Sequence, residues 1–160
     1  MNEKNDLTFR EVQKFSLWFR LLVIFMLTVS AGLSVFALRN SKNLIDLVWI
    51  VVPIGIIILF SIAKLEIEVR SDGLYVCFCP FHIHFKKFPV EDLGKCYVRT
   101  YKPILEYGGW GIRYGIRGKA YNVSGNRGIQ LVFKNGRQLL IGSQKPYELA
   151  EAVSSIMANN

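Results

Sequence analysis

Cys77, Cys79, His82 and His84 lie within eight residues of one another, and thiolates with imidazoles are the side chains that hold zinc. A hairpin turning at Pro80-Phe81 would pair Cys79 with His82 and Cys77 with His84, gathering all four on one sheet face. Directly apposed strand side chains point alongside one another rather than converging on a tetrahedron, and C-x-C followed by H-x-H differs from the usual zinc-module spacing. The expectation is therefore a half-buried sheet face, with no metal site and no cofactor. Nucleophilic catalysis needs a nucleophile, a base and an orienting group within reach, and the chain has no G-x-S-x-G elbow and no locally supported Cys-His pair. Glu91 and Asp92 are adjacent and would point apart on a strand. Gly108-Gly109-x-Gly111 lacks the strand, helix and spacing of a phosphate loop. No catalytic residue is predicted, and the chain reads as something other than an enzyme.

The segment between Glu106 and Glu148 points instead to binding. It holds no acidic residue and seven cations, Arg113, Arg117, Lys119, Arg127, Lys134, Arg137 and Lys145, with Tyr107, Trp110, Tyr114 and Tyr121 interleaved in its first part. Such a surface suits anionic lipid head groups or a protein partner, and equally the solvated edge of a barrel whose aromatics are core. Arg113, Arg117, Lys119 and Arg127 are predicted to form one shared basic surface. RNA would be drawn by the same charge, but no RNP-like motif is present and no nucleic-acid partner is expected.

The elements that must carry these residues read as short strands. From Leu65 the apolar period is two: Leu65, Ile67 and Val69 alternate with Glu66, Glu68 and Arg70, and Ser71-Asp72-Gly73 turns into Leu74 to Cys79. Lys95 to Tyr101 reads as a further strand and Pro103 to Trp110 as a loop. Short strands follow around Ile112 to Ile116 and Lys119 to Val123. Ile129 to Phe133 and Arg137 to Ile141 flank Asn135-Gly136, a strong hairpin signal. Pro146 to Met157 reads as an amphipathic helix, with Leu149, Val153 and Ile156 on one face.

Ahead of these strands stand two apolar runs, within Phe15 to Ala63, joined by the polar residues Arg39 to Asn43. Leu21 to Leu38 has no charge, and Leu44 to Ala63 has only Asp46. Each is about the 20 residues that a helix needs to cross a bilayer, so the sequence predicts a transmembrane hairpin. Lys4, Arg10, Lys14, Arg20, Lys64 and Arg70 outside the runs against Arg39 and Lys42 between them put both ends in the cytoplasm. Three cysteines, an odd count, fit a reducing compartment. The net charge of +8, basic on both sides of Lys64, favours anionic surfaces.

The run YGGWGIRYG at Tyr107 to Gly115 and NVSGNRGIQLVFKNGRQLLIGSQKP at Asn122 to Pro146, in this order of strands and C-terminal helix, resembles bacterial membrane proteins with a pleckstrin-homology-like domain behind a two-helix hairpin. The resemblance covers Leu65 to Met157. It implies a PH-like bent sheet or barrel of about seven strands with a C-terminal capping helix, and no catalytic activity. It does not carry phosphoinositide binding, because the basic first-hairpin pattern of lipid-binding PH domains has no counterpart here. The resulting expectation divides the chain into a cytoplasmic tail (1–14), transmembrane helices (15–38 and 44–63) and a PH-like domain (65–158). The protein would sit in the inner membrane with its domain facing the cytoplasm. It would act as a non-catalytic interaction or scaffolding module, with membrane lipids around the hairpin and a membrane-protein partner. Anionic-lipid sensing is the alternative, and a membrane-bound enzyme the third.

Overall fold

The computed structural model describes residues 7–38 and 45–159. It divides into two units, one formed by residues 15–63 and the other by the chain on either side of them. The polar connection Arg39 to Asn43 lies outside the described residues.

The first unit holds helices α1 (Leu17–Leu38) and α2 (Ile45–Ile62). Phe15, Phe19 and Phe60 pack ring to ring, with centroids 5.2, 5.1 and 5.5 Å apart, and Arg20 donates to the Ser61 carbonyl at 3.4 Å. Away from these contacts both helices present large apolar side chains outward, among them Leu22, Phe25, Met26, Val51 and Ile58. Among the described residues nothing stands within 4 Å of a Cβ added at Gly32 or Gly55.

No helix among the described residues is long and apolar enough to cross a membrane. Helix α2 rises about 27 Å over its whole length, against roughly 30 Å of hydrocarbon, and α1 carries Arg20 in its first turn. Pro53 also stands inside α2. This overturns the transmembrane hairpin and, with it, the multi-pass inner-membrane location.

Among the described residues the second unit has nine strands in two sheets. One has the order β1-β2-β3-β4, from Leu7–Lys14, Lys64–Arg70, Gly73–Cys79 and Lys86–Pro89. The other has the order β5-β8-β9-β7-β6, from β5 (Leu93–Thr100), β6 (Gly111–Gly115), β7 (Gly118–Asn122), β8 (Arg127–Phe133) and β9 (Gln138–Gly142). A short helix α3 (Pro103–Tyr107) fills the expected loop, with Pro103 in its first turn and Gly108 ending it in the left-handed region. Helix α4 (Pro146–Ala158) buries Leu149, Ala152, Val153 and Ile156, and its neighbours include β1, β2, β5 and β8.

The expected PH-like bent sheet or barrel of about seven strands behind a membrane hairpin is corrected to this mixed α/β arrangement of two sheets. Three differences account for it. Leu7–Lys14, read as a tail because its charges hide any periodic face, pairs antiparallel with β2 from Leu7↔Arg70 to Lys14↔Lys64. Lys86–Pro89 forms a strand of its own, with Val76↔Lys86 and Leu74↔Phe88. That register is one residue away from the one in which Cys77 would face His84 and Cys79 would face His82, so the four Cys and His side chains are not apposed in pairs. Finally, β7 runs parallel to β9, Lys119↔Leu139 to Tyr121↔Ile141, a long-range pairing that no hairpin signal announces.

The core follows from the alternation. Leu65, Ile67 and Val69 of β2, Leu74 and Val76 of β3, Ile129 and Leu131 of β8, and Leu139, Leu140 and Ile141 of β9 are buried, and α4 adds its apolar face. β2 is also covered on its other side, where Glu68 is buried and held by Arg70 at 2.8 Å and Arg10 at 3.4 Å. Burying a carboxylate without such partners would be costly.

Candidate functional site

The parallel pairing of β7 with β9 sets the starts of both strands at one end of the sheet, so the turns that precede them lie side by side. The β6–β7 turn carries Ile116 and Arg117, and the β8–β9 turn ends in Gly136 and Arg137. Gly118 opens β7 at φ 92° and Gly136 sits at φ 80°, conformations that disfavour other residues. At Gly118 an added Cβ would overlap the Gln138 carbonyl, so the two turns close up only with glycine there. Asn135 completes its turn by accepting from the Arg137 amide at 3.1 Å and from Arg137 Nε at 3.3 Å.

These turns form two walls of an open groove of about 540 Å³, and β4 supplies the third through Lys86 and Phe88. Phe88 meets Phe133 at 5.7 Å between centroids. Four cations line the groove: Lys86, Arg117, Lys119 and Arg137. Three of them lie against aromatic rings. Lys86 Nζ is 5.8 Å from the Phe88 centroid, Arg137 Cζ is 5.3 Å from Phe133, and Lys119 Nζ is 5.2 Å from Tyr114 and 4.8 Å from Tyr121. Among the described residues none of the four has a carboxylate within ion-pair distance, whereas Arg10, Lys64, Arg70, Lys87, Arg99 and Lys145 each do. Arg117 feels Glu106 at longer range, but Glu106 itself is bonded to Arg99 and to the Lys102 amide.

Two titratable groups at the groove shift in opposite senses. Burial alone would lower the Lys119 pKa, but its interactions with Tyr121 and Tyr114 more than offset this and hold it above the ordinary lysine value. His82 responds in the opposite sense. Burial first, then the charges of Lys119 and Lys86, hold its pKa below the usual 6.5. Its Nδ1 accepts from the Phe78 amide at 3.4 Å, and its ring lies 5.6 Å from Tyr121. His82 is thus an imidazole whose protonation burial and two groove lysines disfavour.

Of the four residues predicted to share one basic surface, Arg117 and Lys119 meet in this groove. Arg113 stands in β6 opposite Ala120, one position out of phase with the Tyr114–Lys119 pair, and donates to the Trp110 carbonyl at 3.1 Å. Arg127 lines a separate depression of about 460 Å³ beside the start of α4, with Ser124 and Gln144. Lys86 and Arg137 are the groove residues that sequence reasoning did not select. Arg137 carried a weak signal, its place directly after Asn135-Gly136; Lys86 carried none. Among the described residues no cluster of three or more His, Cys, Asp or Glu side chains forms; the His82 ring packs on Tyr121, and the Cys77 thiol donates to the His82 carbonyl at 3.3 Å.

Apolar rings, long cations and a concave shape meet in this groove, a combination chemically suited to an anionic group with apolar neighbours. The chain belongs to a family of unknown function (DUF6141), whose model matches residues 3–160. No curated protein matches it.

Proposed function

We propose that this chain is a non-catalytic interaction module that holds an acidic segment of a protein partner in the groove between β4 and the β6–β7 and β8–β9 turns. The observation that carries this reading is the set of four groove cations, Lys86, Arg117, Lys119 and Arg137, without a carboxylate partner among the described residues. Cations brought together in this way repel one another, and an external anion relieves that repulsion while releasing little of their packing on the rings. The groove is concave and its charges lie along ring faces. A protein segment can enter such a surface and bury apolar side chains against Phe88, Phe133 and Leu139, which a flat anionic surface cannot do.

A photo-crosslinking amino acid in place of Tyr114, which is largely exposed, tests this in cells. Crosslinks are compared between the parent and a variant carrying Lys86→Glu, Arg117→Glu, Lys119→Glu and Arg137→Glu. The expected result is a crosslinked peptide rich in Asp and Glu, at least tenfold depleted in the variant. Equal capture by both proteins, or crosslinks only to lipid or nucleic acid, would overturn the reading.

A further inference from the structure

The groove has one wall that differs from the others, because β4 is the last strand of its sheet. Its outer edge pairs with no strand among the described residues. The opposite edge of the same sheet, β1, is in a different condition. There Gln13 Nε2 donates to the Gly142 carbonyl at 2.8 Å, and Glu11 accepts from Ser143 Oγ at 2.6 Å and from the Gln144 amide at 2.9 Å. Side chains therefore tie down the β1 edge, whereas β4's side-chain bond among the described residues, Lys87 to Asp72, runs to the turn within its own sheet.

Resting on the interaction reading above, we infer that the partner's acidic segment enters as an extended strand and pairs with the outer edge of β4. Alternation in β4 supports this. Lys86 and Phe88 face the groove, while Lys87, between them, turns to Asp72 at 2.5 Å. A strand laid along β4 would present every second side chain to Lys86, Arg117, Lys119 and Arg137, so those positions require carboxylates. Four residues of β4 extend about 13 Å, enough for two such positions and the main-chain bonds between them. Lysine on an exposed edge also discourages pairing with a second copy of the same strand, which would set cation against cation. The edge therefore discriminates in favour of an acidic strand. The five-stranded sheet offers less. Its edge strand β6 ends at Gly115, where an added Cβ would overlap the Glu106 carbonyl, so α3 closes that end.

The test uses the full chain and a fluorescein-labelled octapeptide of alternating glutamate and valine, followed by fluorescence anisotropy. Two further peptides carry N-methyl groups, one on every glutamate amide and one on every valine amide. In a strand only one of these sets can point at β4, so one methylated peptide should bind at least tenfold more weakly and the other within twofold of the parent. The Lys86→Gln, Arg117→Gln, Lys119→Gln and Arg137→Gln variant should lose all three. If the peptides bind through those cations and both methylated forms match the parent, the groove reading stands and strand pairing is wrong. No binding of the parent peptide, or binding unchanged in the variant, overturns strand pairing and removes support from the groove reading as well. Preferential binding of phosphatidylglycerol vesicles or of single-stranded DNA over the peptide overturns the protein partner in favour of that anion.

Discussion

Ser143 Oγ donates a hydrogen bond of 2.6 Å to Glu11 Oε2, joining two residues separated by 132 positions. Both residues are buried, and Glu11 takes a second bond from the Gln144 amide at 2.9 Å. The first strand is thereby fastened to the segment that leads into α4.

Replacing Glu11 by Ala leaves Ser143 Oγ and the Gln144 amide without that acceptor. The expected loss is about 2–3 kcal/mol, since hydrogen bonds to a charged group are among the stronger ones and their buried partners are left unmet. Glu11→Gln keeps one acceptor oxygen and should cost about half as much. Urea unfolding of the two variants and the parent measures this. Equal midpoints for parent and Glu11→Ala would show that β1 is held by its pairing with β2 alone.

His82 reports on the groove without taking part in it. Its pKa lies below 6.5 because of burial, Lys119 and Lys86, so protonation is disfavoured in the folded chain. Stability that is complete above pH 6.5 should fall as the pH drops through the lower folded value, because the unfolded chain takes up the proton first. Lys86→Gln and Lys119→Gln should each raise the His82 pKa, as should a bound acidic peptide. Titration of the imidazole resonances by NMR gives the values. An unmoved His82 in both variants would mean that burial alone sets it.

Asp72 makes the acid side of the stability profile testable. Its carboxylate accepts from Lys87 Nζ at 2.5 Å and from the Tyr75 hydroxyl at 2.7 Å. The Lys87 bond is the main cause of a pKa below the ordinary 3.8, with burial opposing it and Tyr75 assisting. A depressed carboxylate contributes stability that is present above the unfolded value and is lost as the pH falls through the folded one. The group is about half exposed, which limits the effect. Asp72→Asn should therefore be less stable than the parent at neutral pH, and the two should converge in strong acid. A constant difference across the acid range would place the contribution elsewhere, for example in the geometry of the β2–β3 turn.

The alternation from Leu65 to Arg70, the Asp72-Gly73 and Asn135-Gly136 turns, and the apolar face of Leu149, Val153 and Ile156 were legible from residue order. Each depends on neighbours within a few positions. The β3–β4 register was not legible, since a pairing one residue away offers an equally apolar face and the choice is made by what β4 packs against, including Phe133. Nor was the role of Leu7–Lys14. Its Glu11 and Gln13 look like solvated residues until Gly142, Ser143 and Gln144 are brought beside them.

The apolar runs show the converse limit. Hydropathy by itself placed two long helices, and α1 and α2 are there. Whether they suffice to cross a bilayer is a separate question, and no helix among the described residues is long and apolar enough to do so.

Sequence by itself determined where the cations are, that no carboxylate stands between Glu106 and Glu148, and which turns can reverse the chain. Only the tertiary structure decided which cations meet. Arg117 and Arg137 become neighbours because β7 lies parallel to β9, and Lys86 joins them because Phe88 packs on Phe133, whereas Arg113 and Arg127 are directed elsewhere. The physical reason is that charge patterning acts along the chain, while a parallel pairing is specified by burial on both faces of a strand, which residue order leaves open until the whole core is assembled.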